Sequence, residues 1–527
     1  MSFEVRHTDL AARIGLLDTP HGILETPAFV PVVHPVRQAI SPEYLKRLDF
    51  RAVITNAYIT FRHYGDEARK KGIHKIINYD GVVMTDSGGY QVLEYGSINV
   101  EPTIMAQFEK DIESDICIPL DKPTGYGLEY ERAKDHVEQT LKNAKETLAW
   151  VSEAGREDAR DEDDGDEAVW VGPIQGAEHL DLISYSADAL DRMGFKFFAL
   201  GSPVEVMEAY DFSILAQMIT VAKYTIPTKP IHLFGAGHPL TIPFVVALGC
   251  DMFDSASYIL YAKDNRYMHT NGTSRLEELS YLPCQCPICT IHTVRELLEM
   301  GQDKRTIEIA KHNLYMLKTE VCAVKQAIMD GRLWEYIMQK ARGHPKLMEA
   351  METFKNFELA EEGTRLFKEK AIFLYDPVDQ YRPEVRRFRK IVSEFHPRNK
   401  KKLILYPESH IHPFYSTKDY FQIVKKFVNT QVCTYNPFLG VIPVEISDIF
   451  PSSHNLISKS IDQYQAKDYS TFIESLNTFL TMNHFEEIII VADRFMQEIV
   501  KDETNSAAIK KLNPKIFDYE QDIIFQL

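Results

Sequence analysis

Eight short apolar runs constrain this chain more than any other feature: residues 28–33, 52–56, 81–85, 116–120, 169–174, 196–200, 231–234 and 251–253. Each has the length of a strand, and an amphipathic stretch long enough for a helix follows it. Strands buried on both faces read as apolar runs rather than as alternations, and helices that cover both faces of a sheet make its strands parallel. Eight such units in succession predict an α/β fold, a (β/α)8 barrel of the TIM type. The weakly alternating residues 3–26, broken by Gly15, Pro20 and Gly22, predict a small antiparallel cap ahead of it. No repeat of 20 to 50 residues argues for a solenoid.

The residues just past these runs are polar or glycine. Asp86-Ser87-Gly-Gly follows the third and Asp121 the fourth. Gln175-Gly176 follows the fifth, Gly201-Ser202 the sixth, Gly235-Ala-Gly237 the seventh, and Asp254 the eighth. In a parallel barrel all of these positions lie at one end, where barrel enzymes build their active sites. One Asp after a strand is more often a helix N-cap. Three of them, with Gln175 and paired glycines, point to a site. Further on, Cys284-x-Cys286-x2-Cys289 is followed 23 residues later by His312, in a helical stretch. Three thiolates and an imidazole fill a tetrahedral Zn2+ shell with no open position, so one structural zinc is expected in a subdomain near residues 281–315. The plain alternative is three free cysteines that happen to lie close together. The other four cysteines are too scattered for a disulfide framework.

With 527 residues the chain is long enough for two to four domains. The spacing divides it into a catalytic barrel (1–342), a helical and basic connector (343–397) and a smaller C-terminal α/β module (398–527). No apolar run reaches the ~18 residues that span a bilayer, and the mixed, charged N-terminus has no signal-peptide pattern. A cytoplasmic protein without membrane contact is the expectation. A formal charge of −17 excludes a wholly basic nucleic-acid binder but not a local basic face. Nine of the fifteen residues 153–167 are acidic, which reads as a solvated loop. Residues 365–402 hold twelve basic and five acidic residues, so Arg386, Arg387, Arg389 and Lys390 there are candidates for phosphate contact, with a solvated helix face as the alternative. Lys263 and Arg266, just past Asp254, are weaker candidates of the same kind.

Taken together, TDSGGYQ (85–91), PIQG (173–176), FGAGHP (234–239), DMFDS (251–255) and the Cys3His pattern resemble the tRNA-guanine transglycosylases over roughly residues 1–340. QVCTYNPFLGVIPVEISDIFPSSH (431–454) resembles the archaeal branch of that family. The resemblance implies exchange of guanine at position 15 of the tRNA D-arm for 7-cyano-7-deazaguanine, in archaeosine biosynthesis. By the same resemblance Asp254 is the nucleophile toward ribose C1′ and Asp86 the acid/base. Asp121, Gln175 and the backbone at Leu200–Gly201 read the base edge, Tyr90 stacks on it, and Ser87 assists. Such chemistry follows the double displacement of a retaining glycosidase on a flipped base. The implied partners are tRNA, guanine and 7-cyano-7-deazaguanine, with a homodimer as a further expectation. The archaeal enzymes usually carry a terminal PUA-type RNA-binding domain. The sequence stops about where that would begin, so a separate RNA-binding protein is also expected. Two other readings compete: a metal-dependent barrel hydrolase, and a non-catalytic tRNA-binding paralogue or archaeosine-forming relative. The first lacks an open metal site at the strand ends, and the second should lack the nucleophile or the DSGG segment.

Overall fold

Alternation within the strands decides how the chain closes. The computed structural model describes residues 2–89, 100–158, 168–409, 411–458, 470–501 and 513–519, in two compact units, Met1–Thr353 and Phe354–Leu527. The first unit opens with the antiparallel strands β1 (Phe3–Asp9), β2 (Ala12–Thr19) and β3 (Gly22–Thr26). The eight apolar runs become β4 (Ala28–Pro31), β5 (Ala52–Asn56), β6 (Val82–Asp86), β7 (Ile116–Ile118), β8 (Val169–Ile174), β9 (Phe197–Leu200), β10 (Ile231–Leu233) and β11 (Met252–Ser255). They form one parallel sheet with β4 beside β11 and β5 at the far end of the row. The Val33 N–H donates to the Ile54 carbonyl at 2.8 Å, beside a parallel bridge between Val32 and Ile54, and brings β4 back to β5. The expected barrel is present.

Every second residue faces inward. Ala28 and Val30, Ala52 and Ile54, Val82 and Met84, Ile116 and Ile118, Val169 and Val171, Phe197 and Ala199, and Met252 form one buried cluster. Leu17 and Leu24 of the cap join it, so the cap plugs the N-terminal end of the barrel. Two polar anchors hold the cap there. Arg13 of β2 donates to Asp251 at 3.0 Å and to the carbonyls of Thr228 and Lys229, at the entries of β10 and β11. Asp115, just before β7, is wholly buried and meets His21 Nδ1 at 2.6 Å and His74 Nε2 at 3.3 Å, while the Val83 N–H donates to it at 2.7 Å. With one end sealed, only the C-terminal end can admit a ligand.

After β11 a hairpin, β12 (Arg266–His269) and β13 (Gly272–Arg275), leads through the cysteine segment to the 28-residue helix Gln302–Met329. Buried Asn313 pins that helix to the hairpin: its side chain accepts from the Met268 N–H and donates to the carbonyls of Arg266 and Tyr258.

The second unit is built on its own sheet. β15 (Lys402–Pro407) lies between the parallel strands β16 (Thr430–Asn436) and β19 (Glu487–Ala492). β20 (Lys515–Asp518) extends it in parallel and β17 (Gly440–Pro443) antiparallel. A separate parallel pair joins β14 (Ile372–Leu374) to β18 (Asn455–Ile457). Leu403 and Leu405 face one apolar cluster, Ile404 and Tyr406 the other, so helices cover both faces of this sheet too. Among the described residues no helix is long and apolar enough to cross a membrane.

Candidate active site

The inward phase that builds the barrel core continues past it into chemistry. On β6 the sequence Val82, Met84, Asp86 keeps one phase, and on β11 Met252 is followed in phase by Asp254. Both carboxyls therefore emerge at the open end. Asp254 is nearly buried, and one of its oxygens, Oδ1, faces His232 Nε2 at 2.9 Å and accepts the Gly235 N–H at 3.1 Å. Gly235 sits at φ +72°, where a Cβ would be strained and would meet Val204 Cγ2 at 2.3 Å; only glycine turns its amide to this carboxylate. Asn56, paired across the ladder with Asp86, donates to its Oδ2 at 3.3 Å, and the Gly88 N–H donates to Oδ1 at 3.3 Å. Burial, joined by the charge of Asp254, pushes Asp86 up to about 6. Behind it, Glu109 accepts from Thr85 Oγ1 at 2.7 Å, and burial holds it well above the carboxylate range. The Ser87 hydroxyl is buried without a hydrogen-bond partner among the described residues.

A second polar group lines the neighbouring strand ends. Gln175 Oε1 accepts from the Thr124 N–H at 3.2 Å, from Thr124 Oγ1 at 3.1 Å and from Ser202 Oγ at 3.1 Å. With the oxygen so occupied, the amide nitrogen must point the other way, and it donates to Asp121 Oδ2 at 2.6 Å. Burial, then the charge of Asp86, pushes Asp121 up to about 7. Gly201 closes the group: a Cβ there would meet Gln175 Nε2 at 2.2 Å, and its own N–H is spent on the Ile174 carbonyl at 2.9 Å. Leu200 is wholly buried on β9. Asp86, Ser87, Asp121, Gln175, Gly201 and Asp254 thus follow strands of one barrel at its open end. Tyr90 lies outside the described residues. His232 and Asn56 escaped the sequence reading, and Thr124 and Ser202 were given no role in it. The signal for His232 was a lone polar residue in the inward phase of a three-residue apolar strand.

Cys284, Cys286, Cys289 and His312 converge with their ligand atoms within 4.8 Å of one another. His312 Nε2 meets the Met268 carbonyl at 2.9 Å, so Nε2 carries the proton and Nδ1 turns to the sulfurs, at 3.4 Å from Cys286 and 3.5 Å from Cys289. Zinc bond lengths in a tetrahedron predict an N···S edge of about 3.5 Å. This buried group could hold a metal ion.

The candidate phosphate-contacting cations separate into two kinds. Lys263 is exposed, and Arg266 lies 5.7 Å from the Tyr261 ring. On the helix Pro383–Ser393, Arg386 donates to the Phe354 carbonyl at 3.0 Å, and Arg387 to the carbonyls of Glu361, Thr364 and Arg365. Arg389 reaches the Gln380 carbonyl at 3.4 Å, and burial lowers it to about 9. Of these four, only Lys390 is exposed. The guanidiniums expected to face phosphate are turned toward carbonyls of their own unit.

A parallel barrel sealed at one end, with buried carboxyls of raised proton affinity at its open end and a Cys3His group in the same unit, defines an enzyme of group transfer or hydrolysis rather than a binding scaffold. The chain belongs to the queuine tRNA-ribosyltransferase family, whose pattern it matches over residues 9–346. Residues 385–515 match a further family described only as a domain of unknown function, DUF5591. It is 39% identical to the tRNA-guanine(15) transglycosylase of Sulfolobus acidocaldarius over 494 residues, covering 93% of this chain and 95% of that protein. Proteins of the same name from Aeropyrum pernix and Methanocaldococcus jannaschii are 38% and 36% identical. Those matches cover 85% and 93% of this chain, and 86% and 73% of the relatives.

Proposed function

We propose that this enzyme replaces guanine at position 15 of tRNA by 7-cyano-7-deazaguanine, a step toward archaeosine, through an ester between Asp254 and ribose C1′. The observation that carries this reading is the asymmetry of Asp254. Oδ1 is held by two N–H groups, while Oδ2 has no hydrogen-bond partner among the described residues, and the charge of Asp254 is felt by Asp86. In the first displacement Oδ2 bonds to C1′ as the C1′–N9 bond breaks. The electron pair leaves with the base, and Asp86 supplies the proton to a ring nitrogen of that base. In the second, N9 of the incoming base loses its proton to Asp86 and attacks C1′, and the ester oxygen departs. The ribose keeps its configuration, as in a retaining glycosidase. A value of about 6 suits Asp86 to both directions of proton transfer near neutrality.

Asp121 accepts N–H groups of the base, and the second N–H of Gln175 meets its carbonyl. Tyr90 stacking, help from Ser87 and the Leu200–Gly201 backbone complete the pocket. Lys263 and Lys390 are the phosphate contacts that exposure favours. Zinc is the ion proposed for Cys284, Cys286, Cys289 and His312. When bound it supplies a fixed cross-link beside the barrel and takes no part in the exchange. A homodimer and a separate PUA-type protein are further parts of this reading, tested by particle mass with and without tRNA.

The test is incorporation of labelled guanine into tRNA bearing G15 or A15. Wild type should label only the G15 transcript. Asp254→Asn should lose exchange by several orders of magnitude with tRNA affinity nearly kept. Near-normal exchange in that variant would overturn the nucleophile assignment.

A further inference from the structure

β10 puts a polar ring where the barrel otherwise stacks hydrocarbon. The strand is Ile231-His232-Leu233, and His232 pairs in register with Met252 on one side and Ala199 on the other, both members of the inner apolar cluster. His232 is wholly buried and lies across the Phe234 ring, with centroids 4.9 Å apart. A histidine confined among such neighbours carries a desolvation cost that a valine or leucine would not. What it receives in return is a single polar contact: Nε2 stands 2.9 Å from Asp254 Oδ1. Its other nitrogen, Nδ1, has no hydrogen-bond partner among the described residues.

These facts determine the tautomer. A bare Nε2 would set a lone pair against a carboxylate oxygen, so Nε2 carries the proton and donates it. We infer that His232 is a positioning residue, an N–H donor inside the barrel that together with the Gly235 amide clamps one oxygen of Asp254 and aims the other at ribose C1′. The donor orients Oδ1 and leaves Oδ2 free to attack. The Gly235 amide alone cannot fix the carboxylate plane, because one donor leaves rotation about the Cβ–Cγ bond. Two donors converging on Oδ1 from β10 and from the turn after it remove that freedom.

This inference rests on Asp254 being the nucleophile, and the experiment separates the two. The readout is the single-turnover yield and rate of the covalent enzyme–tRNA adduct, trapped by denaturation with no incoming base present, beside KM for tRNA. Asp254→Asn should give no adduct; if it does give one, the underlying reading fails. His232→Leu should form adduct about 10²-fold more slowly, the size of loss expected when a reacting group is displaced by about an ångström. Its KM should stay within a few-fold of wild type. His232→Gln, whose terminal amide reaches the place of Nε2, should restore most of the rate, while His232→Asn, which is too short, should not. If His232→Leu does not fold, the Gln and Asn variants decide. Equal rates for those two, or a His232→Leu rate within threefold of wild type while Asp254→Asn is dead, would overturn the positioning role and leave the nucleophile assignment standing.

Discussion

The roles proposed for Asp86 and Asp121 come at a cost in stability. Burial moves Asp86 from its ordinary 3.8 to about 6, and Asp121 to about 7. Because the folded state then holds its protons more tightly than the unfolded chain, each residue is neutral in both states at low pH, and a penalty on folding builds above the unfolded value and is complete once pH passes the folded value. For Asp86 the full penalty is about 3 kcal/mol. Asp86→Asn should therefore raise the melting temperature at pH 8, and the gain should shrink as pH falls below about 6; calorimetry across that range checks it. The same variant should slow exchange about 10²–10⁴-fold. In wild type the single-turnover release of guanine should decline as pH rises past about 6, as Asp86 loses the proton it must donate. Asp86→Asn should lack this limb.

Two helices carry the predictions that belong to elements. The helix Gln302–Met329 holds His312 toward the sulfurs and Asn313 toward the β12–β13 hairpin, so the Cys3His group ties the cysteine segment to a helix that the hairpin already anchors. Cys286→Ala, or chelation, should lower metal content and thermal stability together, since the energy of binding at such a site is also folding energy. Surviving folded protein should keep the pH profile of exchange, and full stability after complete metal removal would refute a structural ion. On the helix Pro383–Ser393, Arg386 and Arg387 bond carbonyls of residues 354–365. Changing both to Gln should cost about 1–3 kcal/mol of stability and leave the salt dependence of tRNA binding nearly unchanged. Lys390→Gln should do the reverse, flattening that slope by up to about one unit.

At the scale of the molecule, two units with separate cores predict two unfolding events. The barrel depends on the Asp115 anchor. Against the pull of burial, bonds from His74, the Val83 amide and His21 hold Asp115 below the usual carboxylate range, and Asp115 in turn raises His74 against its burial. The second unit has its own buried ion cluster, Glu384 between Lys368 at 2.6 Å and Arg382 at 3.2 Å; those two charges hold Glu384 low although it is buried. Removing one partner of such a group costs roughly 3–5 kcal/mol, because the others stay buried and unpaired. Asp115→Asn should lower only the barrel's transition and Glu384→Gln only that of the second unit. A single transition that both variants shift equally would show the two units to unfold as one. The Asp115 anchor should also weaken in two directions: as pH falls through the folded value of Asp115, and as it rises through that of His74.

The barrel was legible in the chain because a parallel strand covered on both faces must be apolar throughout, and eight such runs leave few other ways to fold. The strand-end positions of Asp86, Asp121, Gln175 and Asp254 were legible for the same reason, since parallel strands put their C-terminal ends on one side. The Cys3His group was legible because thiolate and imidazole at that spacing have few other uses. What a linear pattern does not carry is direction across space. The charge of residues 365–402 said nothing about which guanidiniums meet carbonyls of residues 354–365, and only packing of the helix Pro383–Ser393 turned Arg386 and Arg387 toward them. Nor did an isolated histidine in a short strand announce a partner 22 residues away. The sequence by itself determined the barrel, the end at which its polar strand-end residues gather and which carboxyls stand there. Tertiary structure decided which oxygen of Asp254 is clamped and how far burial shifts Asp86 and Asp121, because hydrogen-bond geometry and desolvation depend on neighbours that meet only when the strands close.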